Sequence, residues 1–408
     1  MNVNYRPITE DEFSNWRIAV RRGFNEQVHP DDITRLRNDR IEIDRLFGAF
    51  ADGNNLVGTG GTDSYQLTVP GGAQIPAAGI AYIGTAATHL RRGILTGMMR
   101  TLLDQAIERK EPVATLWASQ SGIYSRFGFG QATVAEGWSI KTANATFAHA
   151  PKVPGKTRFV SHDDALEIMP RVWETLRKNR TGFLDRSPSR WRYFFFDEER
   201  LRGGWSGMFH VVYEDNGIPE GYAAYRMKRL REEEFEVEMK VVEAVTSTPE
   251  SHAAIWHFLL NVDLVQSVSA GNRPSSDALW WMLADPRQLK RTPSDGLWAR
   301  VLDVETALAA RTYESDGHIT FEVIDNVVPA AAGIFRLTVS GGKATCERTS
   351  AQPEVTLGAS ELGSVYLGGT RLSHLARAGR AEEHVPGAIA RFDWLFSTAI
   401  PPWCPHEF

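Results

Sequence analysis

Phe13, Trp16 and Val20 recur at helical spacing directly after Thr9-Glu10-Asp11-Glu12, in which a hydroxyl at the cap is followed three residues on by a carboxylate. Two strand-like apolar runs follow, Leu46 to Phe50 and Leu56 to Gly60, joined by the turn signal Asp52-Gly53-Asn54-Asn55. After Pro70-Gly71-Gly72, Ala78 to Thr85 predicts a buried strand. Ile94, Met98, Leu102 and Ala106 then predict one apolar stripe of a helix, and Val113 to Ala118 a further strand. The order helix, antiparallel hairpin, strand, helix, strand is that of a mixed α/β domain with a crossover helix.

The pattern returns downstream. Arg158-Phe159-Val160-Ser161-His162-Asp163-Asp164 repeats the scheme of Arg6-Pro7-Ile8-Thr9-Glu10-Asp11-Glu12: a short strand, a hydroxyl cap, then acids in the first helical turn. Asp215-Asn216-Gly217 is the counterpart of Asp52-Gly53-Asn54. Phe235, Val237, Met239 and Val241 alternate with Glu234, Glu236, Glu238 and Lys240 as a half-buried strand, and a helix capped by Thr248-Pro249-Glu250 follows. We read a duplicated α/β fold; chance recurrence of common caps and turns is the competing explanation. A third region, opening in a loop-rich stretch near Gly271-Asn272-Arg273-Pro274, carries a helix from Val304 to Arg311 and strands near Ile319–Ile324 and Phe335–Val339, with Gly341-Gly342 as a hairpin turn. Two or three short helices close an α+β module, and the proline-rich end from Pro401 to Phe408 reads as a stiff tail.

A length of 408 residues suits two to three domains. With 42% hydrophobic and 23% charged residues, disorder, collagen and coiled coil are poor descriptions. Forty-five basic against 50 acidic side chains leave a net charge of −5, which argues against nucleic acid as a partner. Two cysteines, Cys346 and Cys404, are too few for a disulfide framework. The N-terminus lacks an apolar leader and no stretch reaches 18 apolar residues, so the expectation is a cytoplasmic protein that does not enter a membrane; leaderless secretion stays open.

Candidate chemistry concentrates in two segments. Thr88-His89-Leu90-Arg91-Arg92-Gly93-Ile94-Leu95 lies between a strand and a helix. Gly93 permits close backbone approach, Arg91 and Arg92 add positive charge, and the helix start offers free N–H groups, as a pyrophosphate requires. A basic loop leading into an ordinary helix is the plainer alternative. In Ala118-Ser119-Gln120-Ser121-Gly122-Ile123-Tyr124, a tyrosine one turn into a short helix can protonate a leaving thiolate, since its ordinary pKa of about 10 keeps it protonated at neutral pH. A ring that only packs is the alternative. The second copy has Ser247-Thr248-Pro249-Glu250-Ser251 where the first has its basic loop. It lacks glycine and arginine there, and Glu250 opposes phosphate, so no pyrophosphate-bearing ligand is expected in that copy. Glu234, Glu236 and Glu238 are either an acidic wall or a solvated face. Cys404-Pro405-His406 reads as tail rather than metal site, and His162 and His210 have no evident partners.

Taken together, these segments resemble the GCN5-related N-acetyltransferase (GNAT) superfamily. Its cofactor motif Gln/Arg-x-x-Gly-x-Gly/Ala falls on Leu90 to Leu95, with departures at Leu90 and Leu95. Thr88-His89-x-Arg91-Arg92-Gly93, Gly122-Ile123-Tyr124-x-Arg126-Phe127-Gly128, Tyr366-Leu367-Gly368-Gly369 and the terminal Glu407-Phe408 further resemble the Eis (enhanced intracellular survival) family along essentially the whole chain. The resemblance implies tandem GNAT folds and a C-terminal domain like a sterol carrier protein, a mixture of α/β and α+β, with boundaries at residues 1–145, 146–290 and 291–408. It implies acetyl-CoA as acyl donor, no metal, and primary amines of polycationic small molecules, aminoglycosides and polyamines among them, as acceptors at more than one amine. By the same carry-over, Tyr124 is the general acid and the terminal carboxylate of Phe408 the general base. Ile83, Gly84 and Thr85 pair with the pantetheine arm; Arg91, Arg92, Gly93, Ile94, Leu95 and Thr96 hold the pyrophosphate; Ser119 and Gln120 touch the cofactor. Glu26 and Glu407 meet the cationic substrate, and Tyr82 and Trp117 line its pocket. A homohexamer, a dimer of trimers, is implied as well. A protein lysine acetyltransferase, and a non-catalytic lipid-binding or assembly protein with a vestigial site, remain the alternatives; Leu90 and Leu95 support the second.

Overall fold

The computed structural model describes residues 2–29, 31, 33–34, 42–230 and 236–408. Glu232, Glu233 and Glu234 of the acidic run lie outside them. The chain forms two compact units, Met1–Thr133 together with Leu297–Phe408, and Val134–Gly296.

In the first unit, Thr9 and Glu12 make the expected capping box, the Thr9 N–H donating to Glu12 Oε2 at 2.9 Å. The helix Phe13–Gly23 turns Phe13, Trp16 and Val20 into the core. Strands β1 (Val3–Pro7), β2 (Leu46–Ala51), β3 (Asn55–Thr68), β4 (Gln74–Thr85) and β5 (Val113–Trp117) lie side by side in that order, and Leu297–Val301 and then β6 (Gly130–Gln131) complete a seven-stranded sheet. Asp52 and Gly53, both with positive φ, make the tight turn between β2 and β3. Among the described residues of this sheet the one parallel pairing, β4 with β5, is bridged by the crossover helix Ile94–Glu108, whose Ile94, Met98, Leu102 and Ala106 are buried.

The same unit holds a five-stranded sheet in the order Lys343–Arg348, Gly333–Ser340, Gly317–Ile324, Val355–Gly358, Ala381–Glu383. Phe321, Phe335, Phe392 and Phe396 pack over it, with the last two rings stacked at 4.1 Å. Arg300 ties the two sheets. It is fully buried, pairs with Asp325 at 2.7 Å and donates to the Phe127 carbonyl, while Asp325 also accepts the N–H groups of Val327 and Val328. Such additional hydrogen bonds offset part of the cost of burying an ion pair.

The second unit is a seven-stranded sheet in the order Lys290–Asp295, Val134–Lys141, Val265–Pro274, Val237–Thr246, Ile218–Arg229, Phe209–Asp215, Lys156–Phe159. Ser161 caps the helix His162–Arg177, Asn216 and Gly217 make the left-handed turn, and Met239 and Val241 are buried while Lys240 is exposed, as expected. Two readings are corrected. Gly271–Pro274 is not a loop but the end of a strand, Arg273 and Pro274 pairing with Glu136 and Ala135 after a bulge that absorbs Gly271 and Asn272. The compact units divide at Thr133/Val134 and Gly296/Leu297, because Val134–Lys141 joins the second sheet and Leu297–Val301 returns to the first. His162 and His210 do have partners. Their rings lie 5.9 Å apart against Phe195, and burial together with the neighbouring His162 pulls His210 down to about 4.

Candidate active site

Strands β4 and β5 are in register only from Ala77–Gly79 with Val113–Thr115; beyond Gly79 they part. On its other edge β4 stays paired with β3, except at a bulge where the register shifts between Thr59 and Gly61. Tyr82 sits in that bulge with φ +60°, a left-handed conformation rare for an aromatic residue and maintained only by its surroundings. Those surroundings are specific. Thr59 Oγ1 donates to the Tyr82 carbonyl at 2.9 Å, the Tyr82 hydroxyl donates to the buried Asp63 at 3.2 Å, and Trp16 meets the ring edge-on at 5.5 Å. The result is a strand whose residues Ile83, Gly84 and Thr85 are half-buried, with no partner strand on the β5 side among the described residues. An extended arm with amide groups can add to such an edge as a strand does.

Directly after this edge lies a cavity of about 560 Å³ lined by Thr85, His89, Leu90, Arg91, Gly93, Ile94, Leu95, Thr96, Ile123 and Arg126. Gly93 caps the crossover helix at φ +80°, and a Cβ there would meet nothing within 4 Å, so the backbone stands open to a ligand. The first N–H groups of the 15-residue helix and its positive end face the same opening, with Arg91 and Arg126 on the wall. These features fit an anionic pyrophosphate. Leu90 is 57% exposed and also lines the cavity. Arg92 is exposed on the same loop, and Ser119 and Gln120 are exposed after β5, leading into the one-turn helix Ser121–Tyr124 that ends in the buried Tyr124.

The last residues of the chain return to this sheet. The Trp117 indole donates to the His406 carbonyl at 3.0 Å, the His406 ring meets the Tyr65 hydroxyl at 3.3 Å, and the Phe408 ring lies 4.8 Å from that of Tyr65. Thus the structure gathers Thr85, Arg91, Gly93, Ile94, Leu95 and Thr96 around one cavity, and Trp117 and Phe408 around the tail. Glu407 is exposed, and Glu26 is ion-paired with Arg21 just past the helix Phe13–Gly23. Sequence reading did not single out Asp63, Tyr65 and Gly79, which belong to no local motif, and took His406 as part of the tail. Among the described residues no three His, Cys, Asp or Glu side chains converge as a metal site, and no helix is long and apolar enough to cross a membrane.

Comparison with known proteins accords with this geometry. Residues 4–132 match the model of a GNAT acetyltransferase domain, 182–327 that of a second GNAT acetyltransferase domain, and 304–405 that of a sterol carrier protein domain. The chain is 37% identical over 412 residues to an uncharacterized N-acetyltransferase of Streptomyces avermitilis, and 30% identical over 419 residues to N-acetyltransferase Eis of Mycobacterium tuberculosis, with 100% of both chains covered each time. The crystal structure of Eis1 from Mycobacterium abscessus superposes with a TM-score of 0.87 at 31% identity over 100% of both chains. A GCN5-related N-acetyltransferase from Anabaena variabilis, at 19% identity and a TM-score of 0.87 over 100% of both chains, shares the fold. The chain belongs to the Eis family of GCN5-related N-acetyltransferases, with two GNAT folds followed by a sterol-carrier-protein-like domain, and is an acetyltransferase.

Proposed function

We propose that this acetyltransferase moves the acetyl group of acetyl-CoA to primary amines of polycationic small molecules, aminoglycosides and polyamines among them, at more than one amine of the same molecule. The observation that carries the reading is the free edge of β4 running into the cavity at Gly93, in the sheet where the chain's own terminal residue docks. Acetyl-CoA supplies the acetyl group as a thioester. Ile83, Gly84 and Thr85 would pair with its arm; Arg91, Arg92, Gly93, Ile94, Leu95 and Thr96 would hold its pyrophosphate; Ser119 and Gln120 would flank it. Glu26 and Glu407 would draw in the ammonium groups of the acceptor between the walls of Tyr82 and Trp117.

A primary amine of lysine-like pKa, about 10.4, is mostly ammonium at neutral pH and must lose a proton to attack. The Phe408 carboxylate accepts that proton and Tyr124 donates one to the departing sulfur. An ordinary terminal carboxylate, with a pKa of about 3.3–3.7, is a weak base, so most of the rate must come from where it is held. The assembly the resemblance implies is a homohexamer, a dimer of trimers of this 45.5 kDa chain.

The test is release of free thiol from acetyl-CoA against a panel of aminoglycosides, polyamines and lysine-containing peptides, with an untagged C-terminus. Release driven by the small polycations is expected, with mass spectrometry showing more than one added acetyl group. Release with peptides alone, or with no acceptor in the panel, overturns the proposal.

A further inference from the structure

A chain end ordinarily frays, yet a base must lie within about 3 Å of the proton it takes. If Phe408 is to serve as base, something must seat it. The contacts of the last residues concentrate on one position. The His406 carbonyl accepts from Trp117 Nε1 at 3.0 Å and from the Cys404 thiol at 3.4 Å, and the His406 ring meets the Tyr65 hydroxyl at 3.3 Å. The Tyr65 ring in turn contacts both the His406 ring, at 5.7 Å, and the Phe408 ring, at 4.8 Å. Tyr65 and His406 are 3% and 7% exposed, so their hydrogen bond is made away from bulk water. An imidazole is costly to bury as packing alone, and its polar ring fixes orientation in a way a phenyl ring would not.

The backbone leaves room for this arrangement at one residue. A Cβ at Gly79 would overlap the Tyr65 ring and meet Phe408 Cε2 at 3.0 Å. Gly79 is also the last β4 residue in register with β5, opposite Thr115, so the socket opens where the donor edge begins. The terminal ring is thereby tied to the point at which the strands part.

From this we infer that Tyr65 and His406 are positioning residues for acetyl transfer: they seat Phe408 in a socket that Gly79 leaves open, and so aim its carboxylate at the acceptor amine. The inference rests on Phe408 serving as the base. Neither residue touches acetyl-CoA in this role, so their loss should act on kcat and spare donor binding.

The test uses the 408-residue chain ending untagged at Phe408 and five variants: Tyr65→Ala, Tyr65→Phe, His406→Ala, His406→Gln, and the chain lacking Phe408. Tyr65→Ala and His406→Ala should lower kcat about 100-fold, the loss that a displacement of about 1 Å brings, with unchanged Kd for acetyl-CoA, although Tyr65→Ala also gives up a buried ring and with it some stability. His406→Gln, whose amide can still bond the Tyr65 hydroxyl, should recover most of the rate, a rescue that a purely structural role would not give. Should Tyr65→Ala fail to fold, Tyr65→Phe keeps the ring, removes the hydroxyl and should still cost about tenfold. An inactive chain lacking Phe408 beside fully active Tyr65 and His406 variants overturns this inference alone. A fully active chain lacking Phe408 overturns the base assignment and the inference with it.

Discussion

Tyr124 ends a one-turn helix and is buried, next in sequence to Ile123, which lines the cavity with Arg126. Replacing it with Phe removes the proton and keeps the ring. General acids contribute about 10²–10⁴ in rate, so Tyr124→Phe should lower kcat at least 100-fold with the Kd for acetyl-CoA unchanged; stopped-flow detection of thiol release on saturated enzyme checks it, and an unchanged kcat rejects the acid role. The places of Tyr124 and Gly93 in the fold were legible because their signals are local, a strand followed by a short loop and a helix start. Tyr65 and His406 were not: they meet across 341 residues of chain, and no periodicity encodes that contact. Leu90 shows the opposite case. It departs from the superfamily motif, and at 57% exposure it borders the cavity while the backbone at Gly93 stays open.

At the level of elements, the first helix start shows how much a capping signal carries. Glu12 receives Arg6 Nη1 at 2.8 Å and Nη2 at 2.6 Å besides the Thr9 N–H. The Arg6 guanidinium first, and the Thr9 backbone second, hold its carboxyl down to about 2. A carboxylate lowered by folding contributes stability that is fully present above its unfolded value, about 4.3, and is lost as the pH falls toward 2. Glu12 and Arg6 are partly exposed, so solvent screening leaves about 1 kcal/mol of this at neutral pH. Glu12→Gln should therefore lower unfolding stability by that amount at pH 7, and urea titrations should show the difference closing between about pH 4 and 2. A difference constant across that range would reject the pairing. This cap was legible from four consecutive residues. The strand end at Gly271–Pro274 was not, since glycine, asparagine and proline read as a loop when nothing in the sequence announces that Glu136 and Ala135 wait to pair with them.

Over the whole molecule, the duplication was legible and its asymmetry chemical. Both units set a parallel strand pair beside a crossover helix, but only the first leaves its donors free. In the second, the helix Pro249–Leu260 begins with a proline that has no N–H, the Ser251 N–H is taken by Thr248 Oγ1 at 3.1 Å, and Glu250 stands in the first turn. The corresponding strands, Val237–Thr246 and Val265–Pro274, stay in parallel register only as far as Val241 and Ala270. The edge beyond is met from within: Arg273 Nη1 donates to the Ala244 carbonyl at 2.7 Å, Asp277 pairs with Arg273 at 2.8 Å, and His252 lies 3.0 Å from Asp277. An arm seeking backbone partners there would have to displace a buried arginine from its carboxylate, and an anion at the helix start would meet a carboxylate where the first unit offers arginine. Buried charge pairs resist opening because each partner left alone costs several kcal/mol. Calorimetric titration of the full chain with acetyl-CoA should therefore saturate at one molecule per chain, and Gly93→Glu, placed in the first cavity, should abolish that binding without exposing a weaker second event. Two molecules per chain, or residual binding after Gly93→Glu, would show that the second fold kept the cleft its side chains are argued to fill.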